Sequence, residues 1–127
     1  MKLQEILEEY NLNKSKNPKG TDKGDYLSYV DFFYEKYFFK FKNREISLLE
    51  IGYRHGASLA LWSIYFPKAN IFGIDNGSDG AVDDSPENKP EDDWLNRKNI
   101  TTIKGDAYSK ELSRSINSNF DLIIEDG

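Results

Sequence analysis

The sequence has no cysteine, a single histidine and a single methionine in 127 residues. Without cysteine, neither a disulfide nor a thiolate metal site can form. An excess of positive charge is also missing: 17 Lys and Arg face 22 Asp and Glu, for a net charge of -5. That excludes the basic face on which broad nucleic-acid binding depends. No apolar run approaches the roughly 20 residues of a membrane span. Met1 to Tyr10 reads as an acidic amphipathic helix and lacks the apolar centre of a signal peptide. The expectation is a cytoplasmic setting with neither membrane nor nucleic acid as partner. The length suits one domain, and no internal repeat is visible.

What is there centres on Leu48 to Asp75. Ile46 to Ile51 is a short apolar run, the mark of a buried strand. Gly52 and Gly56 bracket a tight turn, where glycine permits unusual backbone angles and close approach of a ligand. Ala57 to Phe66 has helical spacing, Ser58 is placed to serve the open amides of its first turn, and Pro67 stops it. Ile71 to Ile74 is a second strand, with Asp75 at its C-terminal end. A strand-helix-strand unit of this length crosses over right-handed and gives two parallel strands. Ligands of such sheets bind at the carboxyl ends of the strands, where Gly52 and Asp75 both fall.

The turn departs from the G-x-G-x-x-G of dinucleotide sites, because Arg54 stands at the second glycine position. Glu50, closing the first strand, is awkward beside a diphosphate and favourable beside a cation. Asp75 is placed to accept hydrogen bonds from a ribose diol. A ligand with a ribose, a cationic centre and no phosphate fits this set, and S-adenosylmethionine is such a molecule. His55, the lone histidine, falls in the turn and reads as a loop residue or cofactor contact.

Asn11 to Gly24 is polar and lysine-rich, with Pro18, Gly20 and Gly24, and reads by composition as a solvated linker. Tyr26, Tyr29, Val30, Phe33 and Tyr37 then follow helical spacing, with Tyr34, Phe38 and Phe41 widening the face, and core packing is their expected role. Asn76 to Lys98 is a long acidic loop without the ligand order of a calcium loop, its far end pinned by Trp94 and Leu95. Asn99 to Lys104 is a β-branched third strand. Asp106 follows it, either capping a helix from Tyr108 to Ile116 or facing the ligand. Phe120 to Ile124 is a fourth strand, apolar on both faces, before Glu125-Asp126-Gly127. As an edge it points to self-association.

Glu-x-Gly-x-x-x-Gly followed by the second-strand acid resembles the first two motifs of the class I methyltransferases. Gly20-Thr21-Asp22-Lys23-Gly24, then Tyr34 to Phe38, Leu-Glu-Ile-Gly and Trp62 to Pro67 resemble one subgroup: the O-methyltransferases that act on sugars of macrolide and tetracenomycin-type natural products. The sequence departs from that pattern at Tyr26 and Leu27, where the family often has histidine, and at Ala57 in the turn. The resemblance implies an α/β, Rossmann-like parallel sheet in order 3-2-1-4 with helices on both faces. Residues 1–24 would be an N-terminal helix and polar linker, and residues 25–127 the N-terminal half of a methyltransferase domain, truncated after the fourth strand. It implies S-adenosyl-L-methionine as cofactor, with Glu50, Gly52, Gly56 and Ser58 at the methionine part, Asp75 at the ribose and Asp106 at the adenine. Glu125-Asp126-Gly127 resembles the family's acidic signature, which makes Asp126 a magnesium ligand. The family's histidine base would fall past Gly127, so no catalytic residue is expected within the sequence. The implied acceptor is a sugar or glycoside. Two other classes stay open from the residues alone: a nicotinamide-dependent oxidoreductase, and a non-catalytic remnant or interaction module.

Overall fold

The structure, a computed structural model, describes residues 1–24, 30–77, 94–115 and 119–125. Four parallel strands form one sheet: β1 (Ser47–Ile51), β2 (Asn70–Asp75), β3 (Ile100–Lys104) and β4 (Leu122–Glu125), in the order β3-β2-β1-β4. The helices are α1 (Leu3–Glu9), α2 (Glu35–Phe38), α3 (Ala57–Tyr65) and α4 (Lys110–Ser115). The connection through α3 steps from β1 to β2, and the one through α4 steps back past both to β4. Right-handed crossovers running in opposite directions put their helices on opposite faces. This is the expected Rossmann-like order, and its carboxyl edge is where a ligand belongs.

Register explains the face against α3. Leu48 pairs with Ile71 and Leu122, and Glu50 with Gly73 and Ile124, so these side chains share one face. A side chain at Gly73 would begin 2.5 Å from Leu59 Cδ1 and 2.8 Å from Tyr53 Cδ1. Its bare backbone is what lets α3 and the Tyr53 ring lie close to β2. Asn99 closes the other end of α3, its amide donating to Ala69 O at 3.1 Å and Ser63 O at 3.3 Å. The last carbonyls of a helix need such donors. At the sheet edge Ile124 is buried while Ile123 is 63% exposed. β4 begins two residues later than its apolar run suggests. Asp121 bonds across to Ser47 instead, its N–H donating to Ser47 O at 2.8 Å and its carboxylate accepting Ser47 N–H at 2.9 Å. α4 begins at Lys110 rather than Tyr108, and its cap is Ser109, whose hydroxyl accepts Leu112 N–H at 3.1 Å.

Residues 1–24 pack into the domain rather than hanging from it. Leu3, Ile6, Leu7 and Leu12 join the core. α1 ends with Asn11 in the left-handed region (φ 55°) and Leu12 N–H bonded back to Leu7 O at 2.9 Å, the hydrogen-bonded stop that asparagine tolerates. Glu35 accepts Leu3 N–H at 2.9 Å and the Tyr65 hydroxyl, tying α1, α2 and α3 to one carboxylate. Burial first, and then that bond, push the Tyr65 hydroxyl pKa far up.

The polar stretch read as a solvated linker is a closed loop. Thr21 N–H donates to Leu12 O at 2.7 Å, and Lys14 N–H to Thr21 O at 2.9 Å. Gly20 sits where a Cβ would lie 2.5 Å from Leu12 O. Asn13, Asn17, Thr21 and Lys23 are buried. Backbone hydrogen bonds replace the water that polar composition suggests.

The aromatic segment also corrects an expectation. Val30 and Phe38 are buried, with Tyr34 and Phe41 against the core, whereas Phe33 and Tyr37 are each 50% exposed. Tyr26 and Tyr29 lie outside the described residues. Val30–Tyr34 is a π-helical turn, followed by α2 and a 3₁₀ turn at Phe39–Phe41. The wider first turn shifts the phase of the inward stripe from 30, 33 and 37 to 30, 34 and 38. Phe38 and Tyr34 meet the Trp62 ring at 5.5 and 5.1 Å between centroids. We expect Phe38→Ala to cost about 3–5 kcal/mol of stability and Phe33→Ala about 0.5 kcal/mol or less. Chemical denaturation of the two variants checks this, and the reverse ranking would restore the original stripe.

Candidate functional site

Three residues between β1 and α3 adopt left-handed backbone: Gly52 (φ 84°), Arg54 (φ 50°) and Gly56 (φ 97°). Glycine takes such angles freely; arginine does so at a cost, held here by its surroundings. Gly52 N–H donates to Ile74 O at 2.7 Å, and Gly56 N–H to Tyr53 O at 3.0 Å. Gly56 is required twice over, because a Cβ there would also lie 2.5 Å from Leu95 Cδ2. Leu95 and the buried Trp94 thus anchor the chain as it returns after Asn76, as expected.

Asp75 stands at the end of β2, nearly buried. One carboxylate oxygen accepts Arg54 N–H at 2.9 Å and the other Gly77 N–H at 2.8 Å. Two charge-assisted bonds to backbone fix the carboxylate beside the turn. Each oxygen keeps a further lone pair for a ligand hydroxyl. The turn and Asp75 are therefore brought together as the sequence suggests. Asp106 lies alongside, since Gly105 N–H donates to Asp75 O at 3.0 Å. It is exposed, and its side chain accepts Tyr108 N–H at 2.9 Å, so it caps a turn and not α4. Tyr53 is buried in the turn. Burial first, then the Asp75 charge, raise its hydroxyl pKa. The Tyr108 hydroxyl donates to Glu125 at the end of β4, and that bond is the main cause of its raised pKa. Asp126 lies outside the described residues.

Glu50 and Ser58 behave differently from the expectation. Glu50 has no exposed surface. Its carboxylate accepts the Ser58 hydroxyl, Trp62 Nε1–H at 3.3 Å and an ion pair from Lys23 Nζ at 3.0 Å. A buried carboxylate must be matched this way, since an isolated charge in the interior is very costly. Ser58 is thereby drawn to Glu50 and does not cap α3, whose first turn starts from left-handed Gly56 without a side-chain cap. Lys23, a residue the composition assigned to a solvated stretch, is the partner that sequence reasoning missed. The signal for it lay in the Gly-Thr-Asp-Lys-Gly motif, not in charge or periodicity.

The Lys23 segment and the glycine turn line one cleft of about 210 Å³. Pro18, Gly20, Thr21 and Asp22 line it with Lys23, as do the turn from Gly52 to His55, Ala57 and Ser58. His55 is thus a cleft residue. Among the described residues, no three histidines or acids gather to hold a metal ion, and no helix is long and apolar enough to cross a membrane. We expect Lys23→Met to lose about 3–5 kcal/mol of stability by leaving Glu50 buried and unmatched, with much of it regained in Lys23→Met/Glu50→Leu. Unfolding curves for the full cycle check this; additive losses would show that the two groups do not act as a pair.

No protein-family model matches the chain. It is 30% identical over 117 residues to mycinamicin VI 2''-O-methyltransferase of Micromonospora griseorubida, covering 84% of this chain and 26% of that protein. It is 27% identical over 117 residues to demethylmacrocin O-methyltransferase of Streptomyces fradiae, with the same coverage. Against the 8-demethyl-8-(2-methoxy-alpha-L-rhamnosyl)-tetracenomycin-C 3'-O-methyltransferase of Streptomyces olivaceus it is 27% identical over 104 residues, covering 74% of this chain and 23% of that one. The chain thus spans about a quarter of the length of the curated relatives it matches. Its fold matches MycE, a methyltransferase of mycinamycin biosynthesis solved with Mg, SAH and mycinamycin VI, with a TM-score of 0.55 and 29% identity over 74% of this chain and 24% of MycE. A second MycE structure, with Mg and SAH, gives 0.55 and 27% over 98% of this chain and 35% of MycE. In sequence and in fold, this chain is similar to part of the sugar O-methyltransferases of macrolide and tetracenomycin biosynthesis.

Proposed function

We propose that this chain forms the S-adenosylmethionine-binding part of an O-methyltransferase that modifies a sugar hydroxyl of a small-molecule glycoside. The observation that carries the reading is Asp75: a carboxylate at the end of β2, held by the backbone N–H groups of Arg54 and Gly77. It sits beside a turn whose positive φ angles at Gly52 and Gly56 keep side chains out of the ligand's path. The relatives, named for methyl transfer to macrolide and tetracenomycin substrates, support the same reading. When bound, S-adenosylmethionine supplies an electrophilic methyl on a sulfonium, which a sugar oxygen attacks as its proton leaves.

The residues of this chain bind and orient. Asp75 accepts the ribose diol, and the glycine turn gives the methionine part a close approach to backbone without side chains at Gly52 and Gly56. Asp106, exposed beside Asp75, is placed for the adenine amine. Glu50 acts through Lys23 and Ser58, fixing the wall of the cleft instead of touching the cofactor. Asp126 is the proposed contribution to a magnesium site, in keeping with the metal in MycE. The described residues do not form that site by themselves. A cytoplasmic location is part of the same proposal.

Asp75→Ala should weaken binding of S-adenosylhomocysteine about ten- to a hundredfold, the cost of roughly 1.5–3 kcal/mol for hydrogen bonds to a charged acceptor. Asp75→Asn, which keeps one acceptor, should lose less. Isothermal titration of the full-length chain provides the measurement. Undiminished affinity in Asp75→Ala would remove Asp75 from the site and with it the main support for this reading.

A further inference from the structure

A second cleft, of about 520 Å³, opens at the amino end of the sheet. Ser63, Pro67, Arg97, Lys98 and Asn99 are among the residues that line it. Asn99 precedes β3 and Asp106 follows it, so the length of the strand, roughly 15 Å, separates this cleft from the carboxyl edge. Among the described residues that line it, two are cations and none is an acid, in a chain of net charge -5.

Arg97 is held in a particular way. Its Nε–H donates to the Ser63 hydroxyl at 2.9 Å. That hydroxyl donates to the side-chain oxygen of Asn99, whose amide donates to Ser63 O and Ala69 O. The negative end of a helix attracts cations, yet Arg97 makes no bond to the carbonyls that end α3, because Asn99 takes them. Among the described residues, the bond to Ser63 is the one hydrogen bond of the Arg97 side chain, and Lys98 makes none. A guanidinium has five N–H donors. With Nε spent on Ser63, those on the two terminal nitrogens remain, on a side chain that is part-buried and fixed in orientation.

Such a group is matched by an oxyanion, which takes two parallel N–H bonds from the guanidinium fork. A carboxylate would balance one of the two charges. A phosphate dianion balances both, and the cleft leaves room for an organic group attached to it. We propose that Arg97 and Lys98 form a phosphate-binding site at the amino end of the sheet, remote from Asp75, for inorganic phosphate or a small phosphomonoester. Ser63 and Asn99 are its positioning residues.

Equilibrium dialysis of the full-length chain against labelled inorganic phosphate, at constant ionic strength, tests this. Saturable binding is expected, and Arg97→Gln should weaken it about tenfold or more. Arg97→Lys, which keeps the charge and loses the fork, should recover only part of that loss. Lys98→Gln, an exposed change that leaves the fold alone, should weaken binding several-fold, and Asp75→Ala should leave it within about twofold of the parent. Competition by sn-glycerol 3-phosphate stronger than by unlabelled phosphate would support the site and identify a phosphomonoester as its ligand; weaker competition would support it as a site for free phosphate. No saturable binding, or binding that Arg97→Gln and Lys98→Gln leave unchanged, would overturn the proposal. So would an equal loss in Asp75→Ala, which would move the phosphate to the carboxyl edge.

Discussion

Burying the Glu50 carboxylate is the constraint on which the rest of this structure depends. The second-to-last residue of β1, fully enclosed, requires a cation and hydrogen-bond donors. α3 supplies Ser58 and Trp62, and a loop more than twenty residues upstream supplies Lys23. That demand pulls the Gly20-to-Lys23 segment onto the end of the sheet and creates the cleft. It also explains why a polar stretch is buried: its backbone is closed on Leu12 and Thr21, and its lysine is matched from below. The hydrophobic part of the same arrangement is the cluster of Tyr34, Phe38, Trp62 and Phe66, whose Trp62 ring also donates to Glu50.

The second organising feature is the turn from Gly52 to Gly56. It is narrow because three of its residues are left-handed, and it is rigid because Gly52, Arg54 and Gly56 each spend a backbone N–H on a neighbour. Such preorganisation lowers the entropy lost when a ligand binds. The turn also divides the carboxyl edge of the sheet. Asp75 and Asp106 lie at the ends of β2 and β3, and Lys23 is tied to Glu50 on β1.

Much of the fold was legible in the sequence, because the signals were local. Apolar runs ending at Gly52 and Asp75, a helix stopped by Pro67 and a β-branched third strand are enough for the strands and for the parallel strand-helix-strand unit; the sheet order observed is the one the methyltransferase resemblance implies. The site residues legible from spacing, Gly52, Gly56 and Asp75, do converge. What was not legible was long-range or conformational. Lys23 is separated from Glu50 by 27 positions, and no pattern in composition distinguishes a lysine that will be buried. The π-helical turn at Val30–Tyr34 changes which aromatic residues face inward, and periodicity assumes a constant 3.6. Ser58 looked like a helix cap because serine often is one; an adjacent buried carboxylate outcompetes the amides. Gly73 passed as an ordinary strand residue, although α3 and Tyr53 close upon it.

The central claim is that the carboxyl edge of this sheet is built for a ribose-bearing sulfonium and against a diphosphate. Competition between S-adenosylmethionine and NAD for the full-length chain, followed by equilibrium dialysis, tests it most directly. Retention of S-adenosylmethionine with no displacement by NAD is the result the account predicts. Preferential retention of NAD would contradict it, and would mean that Arg54 serves a phosphate in the place usually given to glycine.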